Sequence, residues 1–415
     1  MSILTSEGGN FLLLDFGGTD IKASVSCNGN LASIKRQNVT SCLKKDGRKR
    51  FYIAQELEKV VSDFLESYRG QTFTGILIST QMSCAQILGG KSDGELIVSW
   101  QDAHSKLPFD ALPLEVLMAA GNDLKVGSPV ISALGYQPDE KLQTSLSLDT
   151  LGGFLAKILS PEVSDLRHVT DAFALGGYTL PDFSKAQFSS EIGLPRVTSQ
   201  LREIGTSTVF GGSPVFTPVG DQQASLYGVG LREDEVAVNI GTGGQVARMV
   251  REFNYNADYQ TRPYFQDSFL ATVTHLPAGR LAAEYFEIWR QSFKFSFREF
   301  LEFSSPHVDI SDSIPPLELD VSNKKALADA SLAHMHVPHS LPTELSRTLA
   351  TIYAKAIEEV DPGGKKKIVF AGGLGSAYSE LQRRISQATC REIRVSSSLE
   401  STISGLSELA RTSRP

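Results

Sequence analysis

The stretch VGDQQASLYGVG, residues 219–230, decides how the rest of the chain is interpreted. Gly220 predicts a turn that delivers Asp221 and two amide side chains into the start of a helix. A carboxylate at such a turn is placed to accept a proton from the hydroxyl group of a substrate. The alternative is that Asp221 only caps the helix, as acidic residues at helix starts usually do.

Three glycine-rich turns elsewhere in the chain predict phosphate or nucleotide contacts. They have the sequences DFGGTDIK (residues 15–22), NIGTGGQ (239–245) and FAGGLGSAY (370–378). Glycine lets the backbone approach an anion closely and adopt the positive φ angles of an anion-binding nest. In the first turn, Asp15 would hold a hydrated Mg²⁺ while Thr19 and backbone N–H groups meet phosphate oxygens. Each turn taken alone is equally compatible with an ordinary tight turn.

The order of these features along the chain indicates the fold. The first two turns each join two apolar strands, and residues 11–27 and 235–250 show a weak internal duplication. A helix predicted over residues 53–68 and a buried strand over 74–79 follow the first hairpin. We therefore expect an α/β protein with two ribonuclease H-like lobes, of the actin, hexokinase and chaperone-ATPase type, around a central cleft. The predicted boundary divides the chain into lobes of residues 1–230 and 231–415.

Other nucleotide-binding and metal-binding patterns are not matched. The third turn lacks the G-x-G-x-x-G spacing because Tyr378 occupies the third position, and no G-x-x-x-x-G-K-[ST] sequence occurs in the chain. A dehydrogenase or a P-loop enzyme is therefore not expected. The sequence HMHVPH, residues 334–339, has no acid or cysteine nearby, so we expect a surface loop there and not a metal site.

The overall composition is that of an ordinary soluble globular protein. The chain has 415 residues, of which 41% are hydrophobic and 21% charged, and its formal net charge is −7. This acidic balance argues against nucleic acid or an anionic membrane surface as the main partner. The chain has neither a secretory signal pattern nor a long apolar run, so no membrane span is expected. The four scattered cysteines indicate free thiols and a cytoplasmic location.

Taken together, these motifs resemble the FGGY family of carbohydrate kinases over nearly the whole chain. The segment GDQQASLYG, residues 220–228, is the most specific match and is similar to the catalytic segment of that family. The three glycine-rich turns resemble its first phosphate, second phosphate and adenosine motifs. STQMS (79–83), WQD (100–102) and ESTISGLSELA (400–410) are similar to its two substrate motifs and its closing helix. Residues 262–286 are most similar to sedoheptulokinases, with xylulokinases next.

The resemblance implies an ATP- and Mg²⁺-dependent kinase that phosphorylates a keto-sugar of the sedoheptulose kind. Asp221 would be the general base and Asp15 the metal ligand, in a monomer or homodimer whose partner is a small-molecule sugar. The first lobe would bind the sugar through Gln81, Met82, Trp100, Asp102 and Gln222. Nucleotide contacts, mainly from the second lobe, are implied for Gly17, Gly18, Thr19, Lys22, Gly241, Thr242, Gly243, Gly372, Gly373 and Ser376.

The chain departs from the family pattern at several of these positions. Ser83 and Cys84 stand where the family has histidine and glycine, and Gly18 and Asp20 replace hydroxyl-bearing residues. Two other hypotheses therefore stay open. One is a kinase for xylulose, ribulose or another polyol, and the other is an ATP- or sugar-binding regulator of the same fold that has lost turnover.

Overall fold

The computed structural model describes residues 9–89, 94–103, 112–136, 146–304, 317–335, 338–398 and 400–412. The chain divides into two compact units. The first unit contains Met1–Gly230, Val250–Leu270 and Glu400–Pro415, and the second contains Leu231–Met249 and Ala271–Leu399. Two segments that follow residue 230 in the sequence therefore belong to the first unit.

The first unit is built on a mixed sheet of eight strands. Strand β1 (Asn10–Phe16) pairs antiparallel with β2 (Asp20–Cys27) and parallel with β7 (Gly75–Thr80). Every residue of β7 and all but the first of β1 are buried, as in strands covered on both faces. The other strands of the sheet are β3 (Asn30–Leu31), β4 (Lys35–Asn38), β13 (Glu203–Thr206), β14 (Pro214–Phe216) and β15 (Val219–Gly220).

Two smaller sheets and seven α-helices make up the rest of the described part of this unit. Helix α1 (Ala54–Leu65) shows why the helices form, since Leu57, Val61 and Leu65 recur every four residues and join the core formed around β1. The smaller sheets contain β5 (Lys44–Asp46), β6 (Lys49–Ile53), β8 (Ala85–Leu88), β9 (Leu96–Val98) and β10 (Ser147–Thr150), and β11 (Leu166–His168) with β12 (Arg196–Thr198). The remaining helices are α2 (Leu114–Ala119), α3 (Pro129–Tyr136), α4 (Leu151–Leu159), α5 (Val169–Ala172), α6 (Asp221–Gly228) and α13 (Ser401–Thr412).

The second unit repeats the plan of the first hairpin. Strand β16 (Glu235–Ile240) pairs antiparallel with β17 (Gly244–Val250) and parallel with β20 (Lys367–Ala371), just as β1 pairs with β2 and β7. The arrangement agrees with the predicted internal duplication. The other strands are β18 (Gln260–Pro263), which lies in the first unit, β19 (Phe269–Leu276), which begins there and continues into the second, and β21 (Ile393–Val395).

The described part of the second unit also contains six α-helices. The longest is α10 (Ser340–Val360), whose Leu341, Leu345 and Leu349 lie one turn apart and are fully buried. The others are α7 (Gly279–Trp289), α8 (Phe297–Glu302), α9 (Lys324–His334), α11 (Gly373–Ala377) and α12 (Ser379–Thr389). None of the helices in the described part of the chain has the length and apolar character needed to cross a membrane.

The prediction of a surface loop over residues 334–339 is wrong at His334. This residue ends α9 and is 1% exposed, because it lies on the same helix face as the buried Leu327 and Ser331. His336 lies outside the described residues. Among the residues that the structure describes, no group of three or more His, Cys, Asp or Glu side chains is arranged to hold a metal ion.

Helices α6 and α13 of the first unit pack with their backbones in contact. A Cβ atom at Gly405 would lie 1.8 Å from the carbonyl oxygen of Ala224, and one at Gly228 would lie 1.9 Å from that of Ser401. Only glycine permits so close an approach. The helix that begins with Asp221 therefore rests directly on the C-terminal helix.

Candidate active site

Three neighbouring parallel strands of the first unit end at the same edge of the sheet. In the registers of β1, β7 and β15, Asp15 pairs with Ser79 and Gly220 pairs with Thr80. Gln81 and Asp221 directly follow the ends of β7 and β15. The carboxyl ends of parallel strands are where α/β proteins place their ligands. This edge therefore brings together the predicted metal ligand, one predicted sugar contact and the predicted base.

Asp15 is held by hydrogen bonds from both neighbouring strands. Its Oδ1 accepts a hydrogen bond of 2.8 Å from Ser79 Oγ, and its Oδ2 lies 3.4 Å from Lys22 Nζ. Burial raises the pKa of Asp15, although the Lys22 charge and the Ser79 hydroxyl act in the opposite direction. Burial also acts to lower the pKa of Lys22, but the carboxylates of Asp15 and Glu400 outweigh it and the net shift is upward. Lys22 is therefore a cation beside a buried carboxyl group.

Asp221 is half-buried at the first position of α6. Its Oδ1 accepts a hydrogen bond of 2.8 Å from the backbone N–H of Gln222. Burial raises the pKa of Asp221 to about 7 and the charge of Asp15 adds to the rise, while the Gln222 N–H and the charges of Arg262 and Lys22 oppose it. A carboxyl group that titrates near neutral pH is suited to general-base chemistry.

A chain of hydrogen bonds holds the turn that precedes Asp221. The backbone N–H of Gly220 donates to Thr170 Oγ1 at 3.2 Å, and that hydroxyl lies 2.8 Å from His168 Nδ1. His168 Nε2 lies 3.1 Å from the carbonyl oxygen of Ser199, so Nε2 carries the proton and Nδ1 accepts from Thr170. Burial lowers the pKa of His168 to about 4, which keeps the ring neutral at pH 7. The chain fixes the backbone from which Asp221 extends.

The first glycine turn lies next to two predicted sugar contacts. Trp100 Nε1 donates to Gln81 Oε1 at 3.0 Å, and Gln81 Nε2 donates to Tyr52 Oη at 3.1 Å. A Cβ atom at Gly18 would lie 3.5 Å from Gln81 Oε1 and 3.8 Å from Trp100 Nε1. Within the turn, the backbone N–H of Gly17 donates to the carbonyl oxygen of Asp20 at 2.9 Å. Gly18 and Thr19 are exposed.

The predicted sugar contact Asp102 is buried and bound to backbone. Its Oδ1 accepts a hydrogen bond of 2.8 Å from the N–H of Arg50. Trp100, two residues before it, is held as well, because its backbone N–H donates to Cys84 Sγ at 3.3 Å. Cys84, one of the departures from the family pattern, therefore supports the loop that carries Trp100.

Arg262 is a site residue that no sequence motif indicated. Its Nη1 donates to Gln222 Oε1 at 2.5 Å and lies 4.0 Å from Met82 Sδ. Its Nη2 and Nε bind the two carboxylate oxygens of Asp123 at 2.6 and 3.0 Å. No periodicity or motif relates position 262 to positions 123 and 222, so only the tertiary structure reveals this cluster.

The two glycine turns of the second unit end neighbouring parallel strands. Asn239 of β16 pairs with Ala371 of β20, so the turns that follow these residues lie side by side. Gly372 has a φ of +80°, and a Cβ atom there would lie 2.6 Å from Asn239 Oδ1. Cβ atoms at Gly243 and Gly373 would meet no atom within 4 Å. The backbone at these two glycines therefore faces open space, as a nucleotide-binding turn requires.

The second glycine turn is anchored on the start of α7. The N–H of Gly279 donates to the carbonyl oxygen of Gly241 at 3.0 Å, and that of Arg280 to the carbonyl oxygen of Thr242 at 3.2 Å. Ser376 lies in the short helix α11, where its N–H donates to the carbonyl oxygen of Gly372 at 2.9 Å. The predicted nucleotide contacts of this unit are thus grouped around the ends of two strands.

No family model and no curated protein matches this sequence. Solved structures are similar to nearly the whole chain. Gluconate kinase from Lactobacillus acidophilus is 15% identical, with a TM-score of 0.74 over 98% of this chain and 89% of that one. Xylulose kinase from the same organism is also 15% identical, with a TM-score of 0.72 over 97% and 89%. Plasmodium falciparum glycerol kinase with ADP is 12% identical, with a TM-score of 0.71 over 98% and 93%.

These similarities confirm the fold class predicted from the sequence. The chain has the α/β, ribonuclease H-like fold found in the carbohydrate kinases. At 12 to 15% identity the likeness concerns the fold, and function has to be argued from the site.

Proposed function

We propose that this protein is an ATP-dependent carbohydrate kinase, which transfers the γ-phosphoryl group to a hydroxyl group of a sugar or polyol. The observation that carries the proposal is Asp221, a carboxyl group with a pKa of about 7 at the strand edge that also holds Asp15. The fold is shared with kinases of gluconate, xylulose and glycerol, which supports the same class of reaction.

Asp221 is the general base in this proposal. Its Oδ1 already accepts the Gln222 N–H, so we assign Oδ2 as the atom that takes the proton of the attacking hydroxyl. A base with a pKa near 7 is about half deprotonated at pH 7, which suits proton removal at neutral pH. Phosphoryl transfer depends mainly on the alignment of the reacting groups. The hydrogen bond between Gly220 and Thr170 contributes to this alignment because it fixes the turn before Asp221.

Asp15 and the glycine turns fit a magnesium–nucleotide complex. Asp15 is a buried carboxyl group whose raised pKa reflects the cost of burying its charge, and a divalent cation would offset that cost. When bound, Mg·ATP supplies the phosphoryl group and neutralises negative charge. In the first unit, exposed backbone at Gly18 and Thr19 would meet phosphate oxygens beside Asp15. In the second unit, taken by itself, the open backbone at Gly243 and Gly373 would contact a nucleotide.

The sugar would bind beside Asp221 in the first unit. Gln222 and Met82 approach the site next to Arg262, while Gln81 and Trp100 lie beside the first glycine turn. Asp102 would act partly through the backbone of Arg50, to which its Oδ1 is bound. We assign a keto-sugar of the sedoheptulose kind as substrate, on the resemblance of the segment that begins at Arg262. A xylulose, ribulose or polyol kinase is the nearest alternative.

The test is ADP release from Mg·ATP with a panel of sedoheptulose, xylulose, ribulose, gluconate and glycerol. We expect one strong responder, and Asp221→Asn should lower kcat by at least about a thousandfold while sugar binding persists. The exposed Asp182→Asn variant is the control and should match the wild type. Unchanged turnover in Asp221→Asn would refute the mechanism. ATP binding without any sugar response would favour the regulator.

A further inference from the structure

The buried ion pair of Arg262 and Asp123 lies beside the proposed sugar site but contains neither the base nor a phosphate contact. We propose that this pair positions the amide of Gln222, so that its N–H donors face an oxygen atom of the substrate. The inference rests on the proposed kinase function. Arg262 and Asp123 act through Gln222 and are positioning residues.

The geometry of the pair leaves one guanidinium nitrogen for Gln222. Asp123 binds Nη2 at 2.6 Å and Nε at 3.0 Å, in the two-pronged arrangement that orients a guanidinium most firmly. Both side chains are at least nine-tenths buried. The third nitrogen, Nη1, donates to Gln222 Oε1 at 2.5 Å. Asp123 thus determines the direction in which Arg262 presents its remaining donor.

This contact defines which way the Gln222 amide points. A guanidinium has only donors, so the reversed amide would place its NH2 group against another N–H. Oε1 is therefore held toward Arg262, and Nε2 with its two donors is directed away from it. Gln222 is adjacent to Asp221 in the first turn of α6. In the proposed complex this amide nitrogen would donate to an oxygen atom of the substrate.

The turn that carries Asp123 is locked onto the strand that carries Arg262. The N–H of Thr261 donates to the carbonyl oxygen of Gly121 at 2.7 Å. Asn122 Nδ2 lies 3.0 Å from the carbonyl oxygen of Ala257. Gly121 has a φ of +60°, and a Cβ atom there would lie 2.5 Å from the carbonyl oxygen of Thr261. The position of the ion pair is therefore set by backbone contacts on both sides.

The next glutamine strengthens the attachment of α6 to the same strand. Gln223 Nε2 donates to the carbonyl oxygen of Pro263 at 3.1 Å. Two successive glutamines thus bind two successive residues, Arg262 and Pro263. This double attachment holds the first turn of α6, which includes Asp221, against β18.

The experiment compares Arg262→Lys with a matched control, Arg167→Lys. Arg167 forms a similar buried pair with Asp149, at 2.9 and 2.8 Å, but touches no proposed substrate contact. A lysine side chain keeps the positive charge in both variants, but it lacks the planar guanidinium group that binds two partners at once. We expect similar losses of thermal stability in both. Only Arg262→Lys should raise the KM for the sugar, by about tenfold, with kcat changed less than about threefold.

A double-mutant cycle tests whether Arg262 acts through Gln222. Gln222→Ala should also raise the sugar KM. In that background Arg262→Lys should add less than about a twofold change, because the group it positions is gone. Independent, multiplying effects would overturn the positioning role.

A measurement without ligand separates this inference from the proposed function. The side-chain amide NMR signal of Gln222, assigned by its loss in Gln222→Ala, should move in Arg262→Lys and stay in place in Arg167→Lys. A shifted signal in a protein that phosphorylates no sugar would uphold the positioning and refute the kinase. Sugar turnover with an unchanged KM and an unchanged signal in Arg262→Lys would uphold the kinase and overturn the positioning.

Discussion

Asp221 lies half-buried at the end of a strand, and its surroundings set the pH at which it can accept a proton. Burial and the charge of Asp15 raise its pKa to about 7, against the opposing charges of Arg262 and Lys22. The nearby Cys84 stays neutral, since burial raises the pKa of its thiol to about 12. The acid form of Asp221 cannot act as a base, so the proposed reaction requires its ionised form.

We therefore expect kcat/KM for the sugar to fall about tenfold per pH unit below pH 7 and to level off above it. A pH–rate profile from pH 5 to 9 measures this. Asp221→Asn should leave a residual rate that does not fall below pH 7 in this way. That result would assign the titration to Asp221. A flat wild-type profile between pH 5.5 and 8 would contradict the assignment.

Asp171 is another buried carboxyl group of the first unit, and the proposed mechanism does not use it. Burial raises its pKa to about 7, although the hydroxyl groups of Thr150 and Thr80 donate to it at 2.5 and 3.1 Å. Its folded-state pKa is above the value of about 3.9 expected in the unfolded chain. The stability that its protonated form contributes is present below that unfolded value and is lost as the pH rises toward 7.

Asp171→Asn removes this titration and keeps the size of the side chain. Relative to the wild type, the variant should gain on the order of 2–3 kcal/mol of unfolding free energy between pH 5 and pH 8, because one pKa unit corresponds to about 1.4 kcal/mol. Urea unfolding of both proteins at the two pH values measures the difference. A constant difference would show that Asp171 is already ionised at pH 5.

Helices α6 and α13 are in direct backbone contact through glycine residues. Gly405→Ala would place a methyl group 1.8 Å from the carbonyl oxygen of Ala224, so the helices must separate. We expect a loss of about 2–3 kcal/mol of unfolding free energy and a lower kcat, because α6 carries Asp221. Thr402→Ala, on the same helix, is the control and should cost less than about 1 kcal/mol. An unchanged stability of Gly405→Ala would contradict the packing described here.

Two adjacent glycines of the second hairpin have different roles. A Cβ atom at Gly244 would lie 1.8 Å from the hydroxyl oxygen of Tyr353, whereas one at Gly243 would meet nothing within 4 Å. Gly244→Ala should therefore destabilise the protein by about 2 kcal/mol or more. Gly243→Ala should leave stability within about 0.5 kcal/mol of the wild type and weaken ATP binding. Thermal unfolding and calorimetric ATP titration measure the pair, and unaltered ATP affinity in Gly243→Ala would argue against a phosphate contact there.

At the scale of the whole molecule, the first unit is completed by segments from beyond residue 230. Residues 250–270 supply Arg262, and α13 packs on α6. A fragment of residues 1–230 lacks both and exposes the face of α6. We expect it to unfold at a lower denaturant concentration than the full chain and to bind a hydrophobic dye.

A second fragment, which also contains α13, is the matched control for residues 1–230. Gly228 contacts Ser401, so a short flexible linker from Gly230 to residues 400–412 can return α13 to its place. This second fragment should be more stable than residues 1–230 alone. Equal stability of the two fragments would show that α13 contributes little to the first unit.

Local features of the sequence were enough to predict the turns, the helix start at Asp221 and the α/β fold class. Glycine at a strand end imposes a backbone conformation that other residues avoid, and apolar spacing distinguishes helix from strand over a few residues. The buried strand predicted over residues 74–79 is found at Gly75–Thr80, one residue further along. The roles assigned to the individual site residues stay predictions.

Only the tertiary structure decided which distant residues meet at the site. Arg262 is 139 residues from Asp123 and 40 from Gln222, and His168 reaches the turn before Asp221 through Thr170. A side chain's partner across such separations depends on strand register and on the route of the chain between the two units. Periodicity and turn chemistry act over a few residues, and they carry no information about these long-range pairings.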